Sequence, residues 1–95
     1  MPTISLNSLQ TFETAARHKS YSQAAQELNI THSAVSQQMR GLEQTLGVAL
    51  FERKGRQMQL TADGSQLLKQ IQPALRQIAR AVTQVQTEKR SPGIK

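Results

Sequence analysis

Composition limits what this 95-residue chain can do before any motif is considered. Twelve lysines and arginines outnumber six aspartates and glutamates, and the net charge of +6 favours an anionic partner such as nucleic acid or a membrane surface. The length suits one small domain without a separate enzyme pocket. The sequence contains no cysteine and no apolar run long enough for a signal peptide or a membrane span, so we expect a cytoplasmic protein.

Four apolar residues near the N-terminus recur at helical spacing and predict a first helix that ends near His18. They are Leu6, Leu9, Phe12 and Ala16. Ser5 or Asn7 can cap this helix.

A second, short helix is predicted to open at Ser20 and to end near Leu28. Ser20 stands three residues before Gln23, which is the spacing of a capping box. Tyr21 is expected to pack as a hydrophobic staple at the start of this helix. Asn29 follows the helix and tolerates the left-handed conformation that a tight turn needs.

The turn after the second helix leads directly into a third. Ile30 is expected to be an apolar plug, and Thr31 can cap the next helix. The small pair Ala24 and Ala25 permits two short helices to cross closely at a steep angle. Either a helix-turn-helix or a plain helical corner satisfies this pattern.

The third helix, predicted between Thr31 and Gly47, has two distinct faces. One stripe is apolar and faces a core: Val35, Met39, Leu42 and Leu46. The opposite stripe is polar and carries no carboxylate: Ser33, Ser36, Gln37, Arg40 and Gln44. Such a face can read base edges.

A short hairpin is predicted after Gly47, with Gly55 at its tip and alternating polar and apolar residues from Gln57 to Leu60. Arg53, Lys54 and Arg56 crowd the turn, where they repel one another unless they are solvated or lie against phosphate. Beside a helix-turn-helix, this hairpin reads as the wing of a winged helix.

A long helix is predicted from Ala62 to about Glu88, with Thr61 as its cap. Its apolar residues follow steps of three and four: Leu68, Ile71, Leu75, Ile78, Val82 and Val85. Pro73 removes the hydrogen bond to the carbonyl of Lys69, so we expect a bend or a local break there.

This row of apolar residues, the seam of the long helix, is expected to make two different contacts. Its early part, around residues 67–71, packs on the first helix, and its later part meets a second copy of the chain. The tail over residues 89–95, KRSPGIK, is expected to be a flexible hinge or an engineered end.

The run of motifs from Leu6 through Gly64 closely resembles the N-terminal DNA-binding region of LysR-type transcriptional regulators. Its most specific pieces are the alanine pair with Leu28, the S-A-V-S of residues 33–36, L-E at 42–43, L-G at 46–47, L-F-x-R at 50–53 and L-T-x-x-G at 60–64. Tyr21 stands where the family usually has Phe. The run AARHKSYSQAAQELNITHSAVSQ most resembles the branch of glycine-cleavage activators and β-lactamase regulators.

The resemblance implies a mainly α fold, a winged helix-turn-helix of three helices and a short β-hairpin wing over residues 1–61. A linker helix over residues 62–88 then dimerises, and residues 89–95 form the hinge. The implied function is sequence-specific binding of double-stranded DNA at an imperfect dyad operator, as a homodimer or, in the full-length protein, a tetramer. The family also has a C-terminal effector-binding domain beyond these residues, so we expect a fragment, without cofactor or metal.

Candidate contacts follow from the chemistry of each side chain. Gln37 can pair bidentately with adenine, and Arg40 with guanine or phosphate. Thr31 and His32 lie at a helix N-terminus, which favours phosphate, and Ser22 has the same position in the second helix. The candidates are Ser22, Thr31, His32, Ser33, Ser36, Gln37, Arg40, Arg53, Lys54 and Arg56. Solvated surface is the alternative for the stripe of the third helix and for the wing cations. Capping alone is the alternative for Ser22, and Arg53 can instead pair with Glu43.

A second function class remains open at this point. The same helices can form a protein-interaction module whose functional surface is the apolar seam. An enzyme is disfavoured, because the sequence shows no nucleophile with an adjacent base, no carboxylate pair and no phosphate-binding glycine loop. The acid-free stripe of the third helix favours DNA binding, since a protein partner tolerates mixed charge.

Overall fold

A computed structural model describes residues 3–90 of the chain. The elements, in chain order, are α1 (Leu6–His18), α2 (Tyr21–Leu28), α3 (His32–Leu46), β1 (Phe51–Lys54), β2 (Gln57–Leu60) and α4 (Ala62–Arg90). This order confirms the expected winged helix-turn-helix followed by a long helix. Most of the predicted hinge lies outside the described residues, although positions 89 and 90 still belong to α4.

Short polar side chains begin the helices where the sequence predicts. Ser5, rather than Asn7, caps α1, because its hydroxyl accepts the N–H of Ser8 at 3.1 Å. The hydroxyl of Thr31 accepts the N–H of Ala34 at 3.0 Å in the same way. Each of these bonds satisfies a donor that the helix itself leaves free.

The capping box predicted for α2 is only half formed. The hydroxyl of Ser20 accepts the N–H of Gln23 at 3.1 Å. The N–H of Ser20, which a complete box gives to the side chain at position 23, instead donates to the carbonyl of Ala15 at 3.4 Å. The end of α1 therefore competes with the box for this donor and ties the two helices together.

The core lies where α1, α2 and α3 meet beneath the hairpin. Its buried apolar residues are Phe12, Ala15, Ala16, Ala24, Ala25, Val35, Met39, Leu42 and Leu50. The apolar stripe predicted for α3 therefore faces inward. Thr11 and Thr14 are also buried, and their hydroxyls donate to the carbonyls of Asn7 and Gln10, at 3.0 and 2.9 Å. These bonds let polar residues occupy an apolar site at little cost.

Three apolar residues lie outside the fully buried core. Leu6 is 47% exposed because it lies in the first turn of α1, beyond the edge of the core. Ile30, which follows the left-handed Asn29, is 37% exposed and so does not plug the turn. Tyr21 is no staple within α2. Its ring packs edge-on against Phe51, with centroids 5.7 Å apart, and tilts against His32 at 6.0 Å.

The hairpin pairs Phe51 with Leu60 and Lys54 with Gln57, which leaves Gly55 and Arg56 as a two-residue turn. Gly55 has a φ of 63°, whereas Arg56 has a negative φ. A positive φ at the first central position alone is the combination of a type II′ turn, which places glycine there. The predicted tip at Gly55 is therefore correct.

The long helix α4 continues through Pro73 without interruption, so the local break considered from the sequence is not present. Its early residues Leu67, Leu68 and Ile71 pack against the core, as expected. The side-chain amide of Gln72 also donates to Glu13 of α1 at 3.3 Å. Within the part of the chain that the structure describes, no helix combines the length and apolarity needed to cross a bilayer.

Candidate nucleic-acid interface

The outward stripe of α3 is accessible as predicted. Ser33, Gln37, Arg40 and Gln44 are exposed, and Ser36 is half-buried. Arg40 lies along the helix and donates from Nη2 to the hydroxyl of Ser36 at 3.3 Å. The stripe therefore presents hydroxyl, amide and guanidinium groups, which together can donate to and accept from base edges.

The N-terminus of α3 borders this stripe. Thr31 uses its hydroxyl and its carbonyl to satisfy Ala34 and Val35. The amides of His32 and Ser33 precede these and have no acceptor within an α-helical pattern. Because the helix dipole is positive at this end, a phosphate group is the natural acceptor for them.

The wing cations are exposed beside this helix. Arg53, Lys54 and Arg56 are all accessible, and none of the ion pairs formed within residues 3–87 includes any of them. The pairing of Arg53 with Glu43 that the sequence suggested is wrong. The carboxylate of Glu43 instead accepts the backbone N–H groups of Leu50 and Phe51, at 2.7 and 3.3 Å. Glu43 thus joins α3 to the wing through the main chain and leaves Arg53 available.

A surface cleft of about 420 Å³ opens between the starts of α2 and α3 and the wing. Its polar lining includes Lys19, Ser20, Ser22, His32, Arg53 and Arg56. No carboxylate is among the described residues that line it. The structure therefore brings four of the predicted wing and helix residues around one space: Ser22, His32, Arg53 and Arg56.

Sequence reasoning missed Lys19 as a member of this site. Lys19 directly follows α1, and nothing in its spacing indicates that the end of α1 approaches β2. The one feature of the sequence that could have indicated Lys19 is that a lysine stands at the end of a helix, a position where glycine is common. Of the other candidates, Lys54 and the exposed stripe of α3 lie outside the residues that line the cleft.

Acidic groups near α1 and α2 are neutralised within the fold. Arg17 donates to Glu27 at 2.9 Å and to Glu13 at 3.3 Å, and the ring of His18 lies 2.7 Å from Glu27. The hydrogen bonds from Arg17 and then His18 lower the pKa of Glu27 to about 2. The bonds to Glu27 and Glu13 raise the pKa of Arg17 above its ordinary value.

Burial raises the pKa of Tyr21, so its hydroxyl stays protonated at neutral pH and can only act as a neutral donor or acceptor. The described residues contain no group of three or more side chains suited to hold a metal ion. The site is therefore built from cationic and neutral hydrogen-bonding groups.

Comparison with protein families gives a match over residues 6–65 to the bacterial regulatory helix-turn-helix proteins of the lysR family. This stretch is more than half of the chain. The chain belongs to the LysR family. The matched region is a regulatory helix-turn-helix, and the curated relatives that share it are named as transcriptional activators rather than enzymes.

Two curated relatives illustrate the match. The HTH-type transcriptional activator AmpR of Citrobacter freundii is 55% identical over 65 residues, which cover 68% of this chain and 22% of that protein. The glycine cleavage system transcriptional activator homolog of Haemophilus influenzae is 44% identical over 87 residues, covering 92% of this chain and 29% of that protein. This LysR-family chain therefore spans less than a third of the length of either relative.

Solved structures agree with this fold over nearly the whole chain. The BenM_DBD/catB site 1 DNA complex superposes with a TM-score of 0.83 at 25% identity and covers 93% of this chain and 98% of that one. The CbnR_DBD-DNA complex gives a TM-score of 0.76 at 29% identity and covers 92% and 100%. The LysR-family chain thus shares its architecture, including most of α4, with domains that were crystallised on DNA.

Proposed function

We propose that this LysR-family domain reads double-stranded DNA by inserting α3 into the major groove while the wing lies on the adjacent backbone or minor groove. The observation that carries the proposal is the exposed stripe of α3, which has hydrogen-bonding side chains and no carboxylate. Gln37 lies at its centre and has the bidentate geometry that suits adenine, and Arg40 suits guanine or phosphate. The proposed contact set is the one predicted from the sequence.

The wing supports this proposal through its charge. Arg53, Lys54 and Arg56 are held on a hairpin that Glu43 joins to the reading helix, so helix and wing present one continuous surface. Phosphate contacts of this kind position a protein on DNA, whereas base contacts specify the sequence. The relative placement of α3 and the wing would then fix how deeply the helix enters the groove.

The proposal includes a two-fold dimer built on α4. Ile78, Val82 and Val85 are 40, 52 and 60% exposed and continue the seam whose early residues pack on the core. Apolar side chains in such a row favour burial against a partner helix. A second copy, related by a two-fold axis, would carry its own α3 to a second half-site. A larger assembly and a small-molecule effector would belong to the longer protein.

The domain boundaries are part of the same proposal: a winged helix-turn-helix over residues 1–61, a dimerisation helix over 62–88 and a hinge over 89–95. Since the family is bacterial and its DNA lies in the cytoplasm, we also propose a cytoplasmic location. The alternative of a pure protein-interaction module assigns no role to the acid-free stripe on α3.

Selection of bound duplexes from a random pool tests the function. The expected product is an imperfect dyad whose half-sites are about 10 bp apart, or a multiple of that, because dimeric helix-turn-helix proteins place two reading helices in grooves on one side of the duplex. Recovery of random sequence after repeated rounds would contradict sequence-specific reading. Recovery of a single, unrepeated half-site would contradict the dimer.

A further inference from the structure

We propose that Lys19 is a further DNA-contacting residue, which binds one backbone phosphate in the cleft between α2, α3 and the wing. This inference rests on the proposed function. It adds a contact from the end of α1, an element outside the reading helix and the wing. Two independent observations carry it: the composition of the cleft and the backbone conformation of Lys19 itself.

The cleft has the composition of an anion site. Lys19 shares it with Arg53, Arg56 and His32, and none of the described residues that line it is acidic. No ion pair formed within residues 3–87 includes Lys19, Arg53 or Arg56. Cations gathered in one concave space repel one another, and a bound anion relieves this repulsion.

The N-termini of two helices add to the positive potential of the cleft. Ser20 caps α2 and Ser22 lies in its first turn, while His32 begins α3. The positive ends of both helix dipoles therefore flank the cleft, beside its cations. A phosphodiester group carries the matching charge and four oxygens that can accept from several donors at once.

The backbone of Lys19 supplies the second observation. Lys19 is the C-cap of α1 and adopts a left-handed conformation, with φ of 54° and ψ of 38°. Glycine adopts this conformation without the steric penalty that a lysine incurs. Non-glycine residues held in this conformation are concentrated at functional sites, and Lys19 is also one of the residues that line the cationic cleft.

One substitution of Lys19 should have opposite effects on stability and on binding. Lys19→Gly should raise the thermal midpoint, because it removes the left-handed strain, while it weakens binding to every duplex. The salt dependence of binding should flatten by about 0.9 in log-log slope for each winged helix bound, which is the contribution of one phosphate contact. Lys19→Gln should lose the same slope and keep the wild-type thermal midpoint.

Asn29→Gly is the matched control, because Asn29 has the same left-handed conformation at the end of α2 and carries no charge. It should raise the thermal midpoint and leave the salt slope unchanged. Lys69→Gln controls for loss of a lysine outside the cleft. Titrations use one duplex over a series of salt concentrations. If wild type binds DNA and both Lys19 variants keep its slope, the inference is wrong and the proposed function stands. If wild type binds no duplex, the proposed function itself fails.

Discussion

The carboxylate of Glu43 on α3 accepts the backbone N–H of Leu50 at 2.7 Å, immediately before the first strand of the wing. The same oxygen also accepts the N–H of Phe51 at 3.3 Å. One side chain of the reading helix therefore fixes where the wing begins. Glu43 therefore has a structural role. It is not part of the outward stripe of α3, which carries no acid.

Replacing Glu43 by alanine should lower the free energy of unfolding by about 1–3 kcal/mol, because two partly buried N–H groups lose their acceptor. Chemical denaturation followed by circular dichroism measures the change. Glu52→Ala is the matched control, since Glu52 is exposed on the wing itself. Equal stability of the two variants would show that Glu43 does not fasten the wing.

Gly64 should be intolerant of any side chain. A Cβ at this position would overlap the carbonyl oxygen of Leu50, which already accepts the N–H of Thr61 at 3.0 Å. Backbone cannot give way as a flexible side chain can, so Gly64→Ala should cost about 1–3 kcal/mol of stability through strain. Gly41→Ala is the control, and its effect on stability should have the opposite sign, because a Cβ there meets nothing within 4 Å. It should stabilise α3 by up to about 1 kcal/mol. Thermal melts compare the two, and a stable Gly64→Ala domain would refute the close approach.

Neutralising the wing should weaken DNA binding without regard to sequence. Lys54→Gln with Arg56→Gln should reduce the log-log salt slope by about one to two for each winged helix bound, since each phosphate contact contributes about 0.9. Titrations of a selected and a random duplex at several salt concentrations measure it. An unchanged slope would show that Lys54 and Arg56 do not contact the DNA backbone.

The late seam of α4 should hold the dimer together. Ile78→Asp with Val82→Asp places unpaired carboxylates in the proposed apolar contact, which costs several kcal/mol per buried charge. The winged helix should remain folded, because its core residues lie earlier in the chain. Sedimentation should show a monomer, and binding to a full dyad should lose a factor of roughly 10² to 10⁴ that comes from tethering the second half-site.

Gln77→Asp with Gln84→Asp is the control for the seam, because these exposed residues lie on another stripe of α4. This variant adds the same charge and should stay dimeric. A wild-type chain that sediments as a monomer, and that binds full and half sites equally, would refute the dimer.

Local chemistry explains how much of this fold could be predicted from the sequence. Capping by Ser5, Ser20 and Thr31 depends on residues three positions apart, and the inward stripe of α3 depends on helical period alone. Glycine at the turn of the hairpin follows from the backbone conformation that the turn requires. Each of these features can be predicted without knowing which elements contact one another.

The features that could not be predicted depend on contacts between distant elements. The N–H of Ser20 is taken by Ala15 only because α1 ends beside it. Glu43 finds two backbone donors instead of Arg53 because the chain returns directly past α3. Lys19 enters the cleft because the end of α1 lies beside the wing. Spacing along the sequence carries no information on these approaches.

Reading of base edges by the outward stripe of α3 is tested most directly at Gln37, which lies at the centre of that stripe. The measurement is the affinity of wild type, Gln37→Ala and Gln10→Ala for the duplex selected from the random pool and for a random duplex. Gln10 is exposed on α1, outside the proposed contact set. Gln37→Ala should lose about 1–3 kcal/mol on the selected duplex alone, because a base-edge contact carries discrimination between sequences. Equal losses on both duplexes, or no loss on either, would contradict the account.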